Sequence, residues 1–150
     1  MMLDALLQFS AAQAVTATAV STNTIDLSVA RDMAPGTALH AVFAVDVAAT
    51  AAGAATVTFE IISSAAADLS SPDVLASSGP IPKADLTAGR RPIGVALNPA
   101  ALLATPIGRR YLGVRYTVGT GPLTAGSFSA YLTNHTAPGN QTYASGYTVF

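Results

Sequence analysis

The sequence predicts an all-β fold, a single-domain jelly roll or β-sandwich with a short N-terminal arm or helical turn. Three observations carry that expectation. From Thr24 onward, apolar and polar residues alternate at period two in several short runs. Turn-forming Gly, Pro, Asn, Asp and Ser recur between those runs. Beyond the N-terminus no segment holds a helical period. At 150 residues the chain is the size of one domain, with no internal repeat and no boundary inside it.

Residues 1–20 read as an N-terminal arm and residues 21–150 as the β-domain. In the arm, Leu3, Leu6 and Leu7 stand at i, i+3 and i+4, enough for one or two helical turns. Such an end either docks on its own domain or reaches outward. Ile25, Leu27 and Val29 then alternate with Thr24, Asp26 and Ser28 as a half-buried strand, and Met33–Gly36 forms a turn. Leu39–Val47 is the clearest strand, with Leu39, Ala41, Phe43, Val45 and Val47 on one face and His40, Val42, Ala44 and Asp46 on the other.

Ala48–Ala55 is a small-residue loop around Gly53, and Thr56–Ile62 points Val57, Phe59 and Ile61 inward. Ser63–Gly79 reads as a surface excursion with a short strand at Val74–Ala76. Pro80, Pro82 and Pro92 bracket two weak segments, which proline confines to sheet edges or strand starts. Arg109–Val118 and Ser127–Thr133 flank a loop of Gly119, Gly121, Pro122 and Gly126, the sequence form of a β-hairpin with a long connection. Asn134–Asn140 is a polar loop, and Gln141–Phe150 ends the chain as a strand. Alanine throughout the strands implies a thin core, one that neighbouring subunits would help to stabilise.

Charge is the unusual quantity. Asp, Glu, Lys and Arg make up 10% of residues, the formal net charge is −1, and mean hydropathy is +0.46. Soluble domains carry about 25% charged residues, so much of this surface reads as built for contact with other subunits. Six arginines stand against one lysine, Lys83. Arginine suits interfaces because its planar fork pairs bidentately and dehydrates readily. Seven cations against eight acids, with a pI near 6.0, argue against nucleic-acid binding. No segment reads as a signal peptide or membrane span.

No set of residues reads as catalytic, and the chain is expected not to be an enzyme. The absence of Cys removes disulfides, thiolate metal sites and thiol nucleophiles. His40 and His135 lack neighbours at ligand spacing, so no metal or other cofactor is expected. Gly121 and Gly126 have P-loop separation, but Ser127 stands where the lysine should be and no helix follows. A glycan-binding β-sandwich module is the rival reading, with Tyr131, Tyr143 and Tyr147 as stacking candidates.

Three segments carry a family resemblance: MMLDALLQFSAAQAVTA at the start, VDVAATAAGAATVTFEI over Val45–Ile61, and RYLGVRYTVGTGPLTAG over Arg110–Gly126. In these the chain resembles the capsid cement (decoration) protein family of tailed bacteriophages, of the Bordetella phage type. The resemblance implies a non-enzymatic virion protein on the outer surface of an HK97-type head, made in the host bacterial cytoplasm. It implies the phage major capsid protein as partner, self-association as a dimer at two-fold positions, and no nucleic-acid or membrane partner. The contacts are then expected on Leu3, Leu6, Leu7 and Phe9 of the arm, on Gly119, Gly121 and Gly126 of the loop, and on Arg109, Arg110 and Arg115.

Overall fold

The structure, a computed structural model, describes residues 4–28, 39–97 and 109–134. Nine strands make up the described chain: β1 (Gln8–Ala14), β2 (Ala19–Val20), β3 (Ile25–Asp26), β4 (Leu39–Thr50), β5 (Thr56–Ser64), β6 (Asp73–Pro82), β7 (Ile93–Leu97), β8 (Tyr111–Gly119) and β9 (Ala125–Thr133). One sheet has the order β1-β9-β4-β7 and the other β2-β8-β5-β6, with β3 also pairing β8. Every pairing is antiparallel. The fold is therefore an all-β sandwich.

Among the described strands, only β2–β3 and β5–β6 are consecutive strands of one sheet; each other pair of successive described strands lies in opposite sheets. With β2 and β3 taken as two pieces of one interrupted strand, each sheet has four positions. That wiring is consistent with a jelly roll.

The expected hairpin is corrected here. β8 pairs with β5 from Gly119↔Thr56 to Tyr111↔Ser64, whereas β9 pairs with β4 and β1 in the other sheet. The intervening loop is an arch across the end of the sandwich. Leu123 drops into the core and its N–H donates to the Thr16 carbonyl at 2.8 Å, while the Thr124 N–H donates to the Thr50 carbonyl at 2.7 Å. A buried leucine at the loop's centre plugs the gap between the sheets, which a hairpin tip has no reason to do.

The expected 1–20 arm is corrected as well. After a single 3-10 turn at Ala5–Leu7, residues 8–14 form a strand paired with β9, and Phe9 is fully buried. Sequence alternation fails there because β1 carries two register shifts, and Ala12 has φ of 45°. The first shift, between Gln8 and Ser10, puts both Phe9 and Ser10 inside.

Val57, Phe59 and Ile61 point into the core as expected. Val47 does not. A register shift between Val45 and Val47 turns it outward, where it is 50% exposed, and Ala49 takes the inward place. Within the described part of the expected 24–29 strand, only Ile25–Asp26 pairs as a strand, and Ser28 adopts φ of 64°, held by its N–H on the Asp26 carboxylate at 2.8 Å; Val29 lies outside the described residues. The short strand at Val74–Ala76 is part of the ten-residue β6, whose Pro80 and Pro82 lie on a sheet edge as proline requires. The Met33–Gly36 turn, most of the 134–140 loop and the Gln141–Phe150 strand lie outside the described residues.

The interior is less thin than the alanine content implies. Phe43, Phe59, Tyr116 and Phe128, drawn from four strands of both sheets, are fully buried with centroid separations of 5.0–6.1 Å. Each such ring contributes about 1.5–3 kcal/mol by burial, and the edge-to-face pairs add to that. Ala41 and Ala130 pack beside them and let the sheets close on the rings.

Candidate interaction surfaces

The two outer faces differ sharply in charge. On the β8 sheet, Arg115 lies directly opposite Glu60 in register, and its Nε donates to Glu60 Oε2 at 2.7 Å. Thr117 donates to the same oxygen at 2.7 Å. At the sheet's end, Arg110 grips Asp26 through two bonds of 2.6 and 2.7 Å and stacks over Tyr111 at 5.2 Å. Arg109 forms an ion pair with Asp73 at 2.7 Å. The Arg110 guanidinium, helped by the Ser28 N–H, lowers the Asp26 carboxyl to about 2.

All three arginines expected at a contact are thus neutralised by this chain's own carboxylates. Together they tie β3, β5 and β6 to β8. The face they form has pairs of charges and little net charge for an acidic partner to meet.

The same face is partly covered by the β5–β6 connection. Leu69 folds back onto Gly113, so closely that a Cβ there would sit 2.3 Å from Leu69 Cδ1. Gly113 is opposite Ile62 in register, and both Ile62 and Leu69 are buried outside the main core. Ser64 Oγ donates to the Ser70 carbonyl at 2.6 Å and holds the connection down.

The β4 sheet is different. Among its strands, Asp46 is the single charged residue, and its Oδ2 accepts from Ser129 Oγ at 2.7 Å. Outward positions alternate with the core residues Ala41, Phe43, Val45, Phe128, Ala130 and Leu132. They are the half-buried His40, Ala44, Ser129 and Tyr131 around Val42, which is itself fully buried, and exposed Gly94 and Ala96 continue them onto β7. Tyr131, opposite Val42 and Gln8, is half-buried, and burial followed by the Asp46 charge raises its phenol. Tyr143 and Tyr147, the other stacking candidates, lie outside the described residues.

The remaining expected contacts are scattered. Leu6 is 83% exposed in the turn before β1, whereas Leu7 packs against the core and Phe9 is inside it. Leu3 lies outside the described residues. Gly121, with φ of 99°, is exposed at the arch tip; Gly119 ends β8, and Gly126 is buried against Ala49 and Leu123 with φ of 158°. The glycines thus shape the arch, and Gly121 alone is presented to the outside. The arch follows the C-terminal end of β8, whereas Arg109 and Arg110 precede its N-terminal end, so the loop and these two arginines do not form one patch.

Among the described residues no three His, Asp or Glu side chains group as metal ligands, and no helix is long and apolar enough to cross a membrane. Sequence reasoning missed Ala44, Gly94 and Ala96, small residues that draw attention only once the sheet is assembled.

These features define a small antiparallel β-sandwich with one ion-paired face and one almost uncharged face. The chain belongs to the Bbp16 family, whose model matches residues 9–132, from Phe9 of β1 to Leu132 of β9. A search of curated proteins found no match.

Proposed function

We propose that this chain is a phage virion structural protein that cements the capsid, binding the outer surface of an HK97-type head and bridging neighbouring major capsid subunits. Membership of the Bbp16 family, a name in keeping with a Bordetella phage protein, supports the phage assignment. The observation that carries the contact reading is the uncharged face of the β4 sheet, where Asp46 is the sole charged strand residue. A face of Ala, Gly, Ser and Tyr costs little to desolvate and lets another backbone approach closely.

The mechanism is linkage. A protein that binds only the expanded shell stabilises it by RT ln(1 + [L]/Kd), about 2.7 kcal/mol per site at a hundred times Kd. A self-associated pair touching two capsid subunits adds avidity of about 10²–10⁴ without stronger single contacts. Each attachment needs on the order of 1,000 Å² of buried surface.

The reading is tested by adding purified protein to heads stripped of it and measuring saturation by cosedimentation. Wild type saturates the heads; Ala44→Glu, which places a charge in the middle of the uncharged face, lowers occupancy at least tenfold while the fold is retained. Full occupancy by Ala44→Glu would move the contact elsewhere, and no occupancy by wild type would refute the cement function.

A further inference from the structure

A β-sandwich of this wiring has open strand edges, and each is a template for a stray strand unless something blunts it. Three are blunted here. The edge of β6 carries Pro80 and Pro82 and a register shift at Gly79. The edge of β1 is bulged twice and dressed by the 21–23 turn: the Asn23 N–H and Thr22 Oγ1 both donate to the Phe9 carbonyl, and Asn23 Nδ2 donates to the Gln8 carbonyl. The third edge is broken into the two-residue pieces β2 and β3.

The edge of β7 has none of these devices. Its sequence, Ile-Gly-Val-Ala-Leu, holds no charge and no proline, and its register on β4 runs unbroken from Ile93↔Phe43 to Leu97↔Leu39. No described strand pairs with its second edge. The outward residues Gly94 and Ala96 are exposed and small, leaving room for larger side chains of an added strand.

A second feature sets direction and chemistry. A shallow, open groove of about 500 Å³ lies at the N-terminal end of β7, lined by Pro80, Ile81, Pro82, Asp85, Arg90 and Arg91. Arg90 is occupied, its guanidinium donating to the carbonyls of Asp85 and Arg91. Arg91 is exposed and forms no ion pair with a described carboxylate, unlike Arg109, Arg110 and Arg115. A strand added antiparallel to β7, as every pairing here is, would bring its C-terminal end to Arg91. A parallel strand would bring its N-terminal end and meet repulsion if that end were basic.

We propose that β7 is a strand-addition site for an extended, uncharged segment of a partner chain, docked antiparallel and ending in an acidic residue or free carboxylate held by Arg91. Backbone hydrogen bonds supply the affinity and the arginine supplies polarity and register. The inference deepens the capsid reading by giving one contact its chemistry, and it is tested apart from that reading.

The probe is an N-acetylated nonapeptide of alternating Thr and Val that ends in Glu with a free carboxylate. Its control ends in Lys amide. Binding is followed by fluorescence anisotropy, and amide hydrogen exchange locates it. The expected result is saturable binding that slows exchange across Ile93–Leu97 and leaves β1 and β6 unchanged. Arg91→Glu, the control peptide, and the paired Gly94→Lys and Ala96→Lys substitutions each weaken it at least tenfold.

The proposal is overturned by an absence of saturable binding, or by protection appearing at another edge. It is also overturned if the outward-facing β7 amides, those not bonded to β4, already exchange slowly in the free monomer, because the chain's own segment then covers the edge. A dimer abolished by Gly94→Lys and Ala96→Lys, with the peptide inert, would assign the edge to a second copy instead. Head attachment without peptide binding would refute this site alone and leave the cement reading standing.

Discussion

Tyr116 and Ser10 share a hydrogen bond across the interior of the sandwich, tying β8 inside one sheet to β1 at the edge of the other. Both residues are fully buried, and Tyr116 is also part of the aromatic cluster. The bond therefore latches the N-terminal strand to the core at a point where Phe9 is already inserted. Tyr116→Phe leaves the Ser10 hydroxyl without that partner and is expected to cost about 1–3 kcal/mol. Adding Ser10→Ala should recover part of the loss. Denaturant unfolding of the two single variants and the double variant measures this coupling, and strictly additive losses would contradict it.

Burial dominates the titration of the same phenol and holds it well above the ordinary tyrosine value of 10.0, against a lowering by Ser10 and with a smaller raise from Asp46. The unfolded chain loses the proton first. Stability from this group is therefore complete below about pH 10 and declines as pH rises further. Ultraviolet titration of the native protein should show less tyrosine ionisation than the denatured protein near pH 11, and Tyr116→Phe should shrink that difference, leaving the part due to Tyr131.

Gly113 is where the β5–β6 connection closes on the sheet. A Cβ there meets Leu69 Cδ1 at 2.3 Å and Ser21 Oγ at 3.1 Å, so Gly113→Ala must displace Leu69. Overpacking of this kind costs about 1–3 kcal/mol. Combining Gly113→Ala with Leu69→Ala relieves the clash, so the double variant should be more stable than the sum of the single losses implies. Thermal unfolding of the set checks it.

The Asp26–Arg110 pair makes an acid-side prediction. With the folded carboxyl at about 2 and an ordinary value of 3.8, its stabilising effect is present above the ordinary value and is lost as pH falls through about 2. Both groups are open to solvent, so added salt should weaken the effect. Carboxyl NMR titration should place Asp26 well below 3.8, and Arg110→Gln should return it towards that value.

The strands legible in the sequence were those with one wet face. Leu39–Val45 and Thr56–Ile61 carry period-two patterns, and Ala41, Phe43, Val45, Val57, Phe59 and Ile61 are buried with Leu39 packed partly buried beside them. The prolines at 80 and 82 also marked an edge correctly, because a missing N–H is a local property. What could not be read was pairing. Alternation is identical whether β8 meets β9 within a sheet or faces it across the core, and Leu123 is the residue that distinguishes the two. The bulges at 8–13 and 45–47 were invisible for a similar reason, since they break the very period that signals a strand.

The contact surface followed the same pattern. Low charge was evident from composition, but its location was not, because Arg109, Arg110 and Arg115 each find a carboxylate distant in sequence. Arg91, which does not, was not singled out.

The central claim is that this sandwich holds a DNA-filled shell together from outside. Heads depleted of the protein and heads with it restored should be heated in parallel while released DNA is followed with an intercalating dye. The depleted heads should release DNA at a lower temperature and return to the higher one on readdition of wild-type protein, but not of Ala44→Glu. Identical release temperatures with and without the bound protein would contradict the claim.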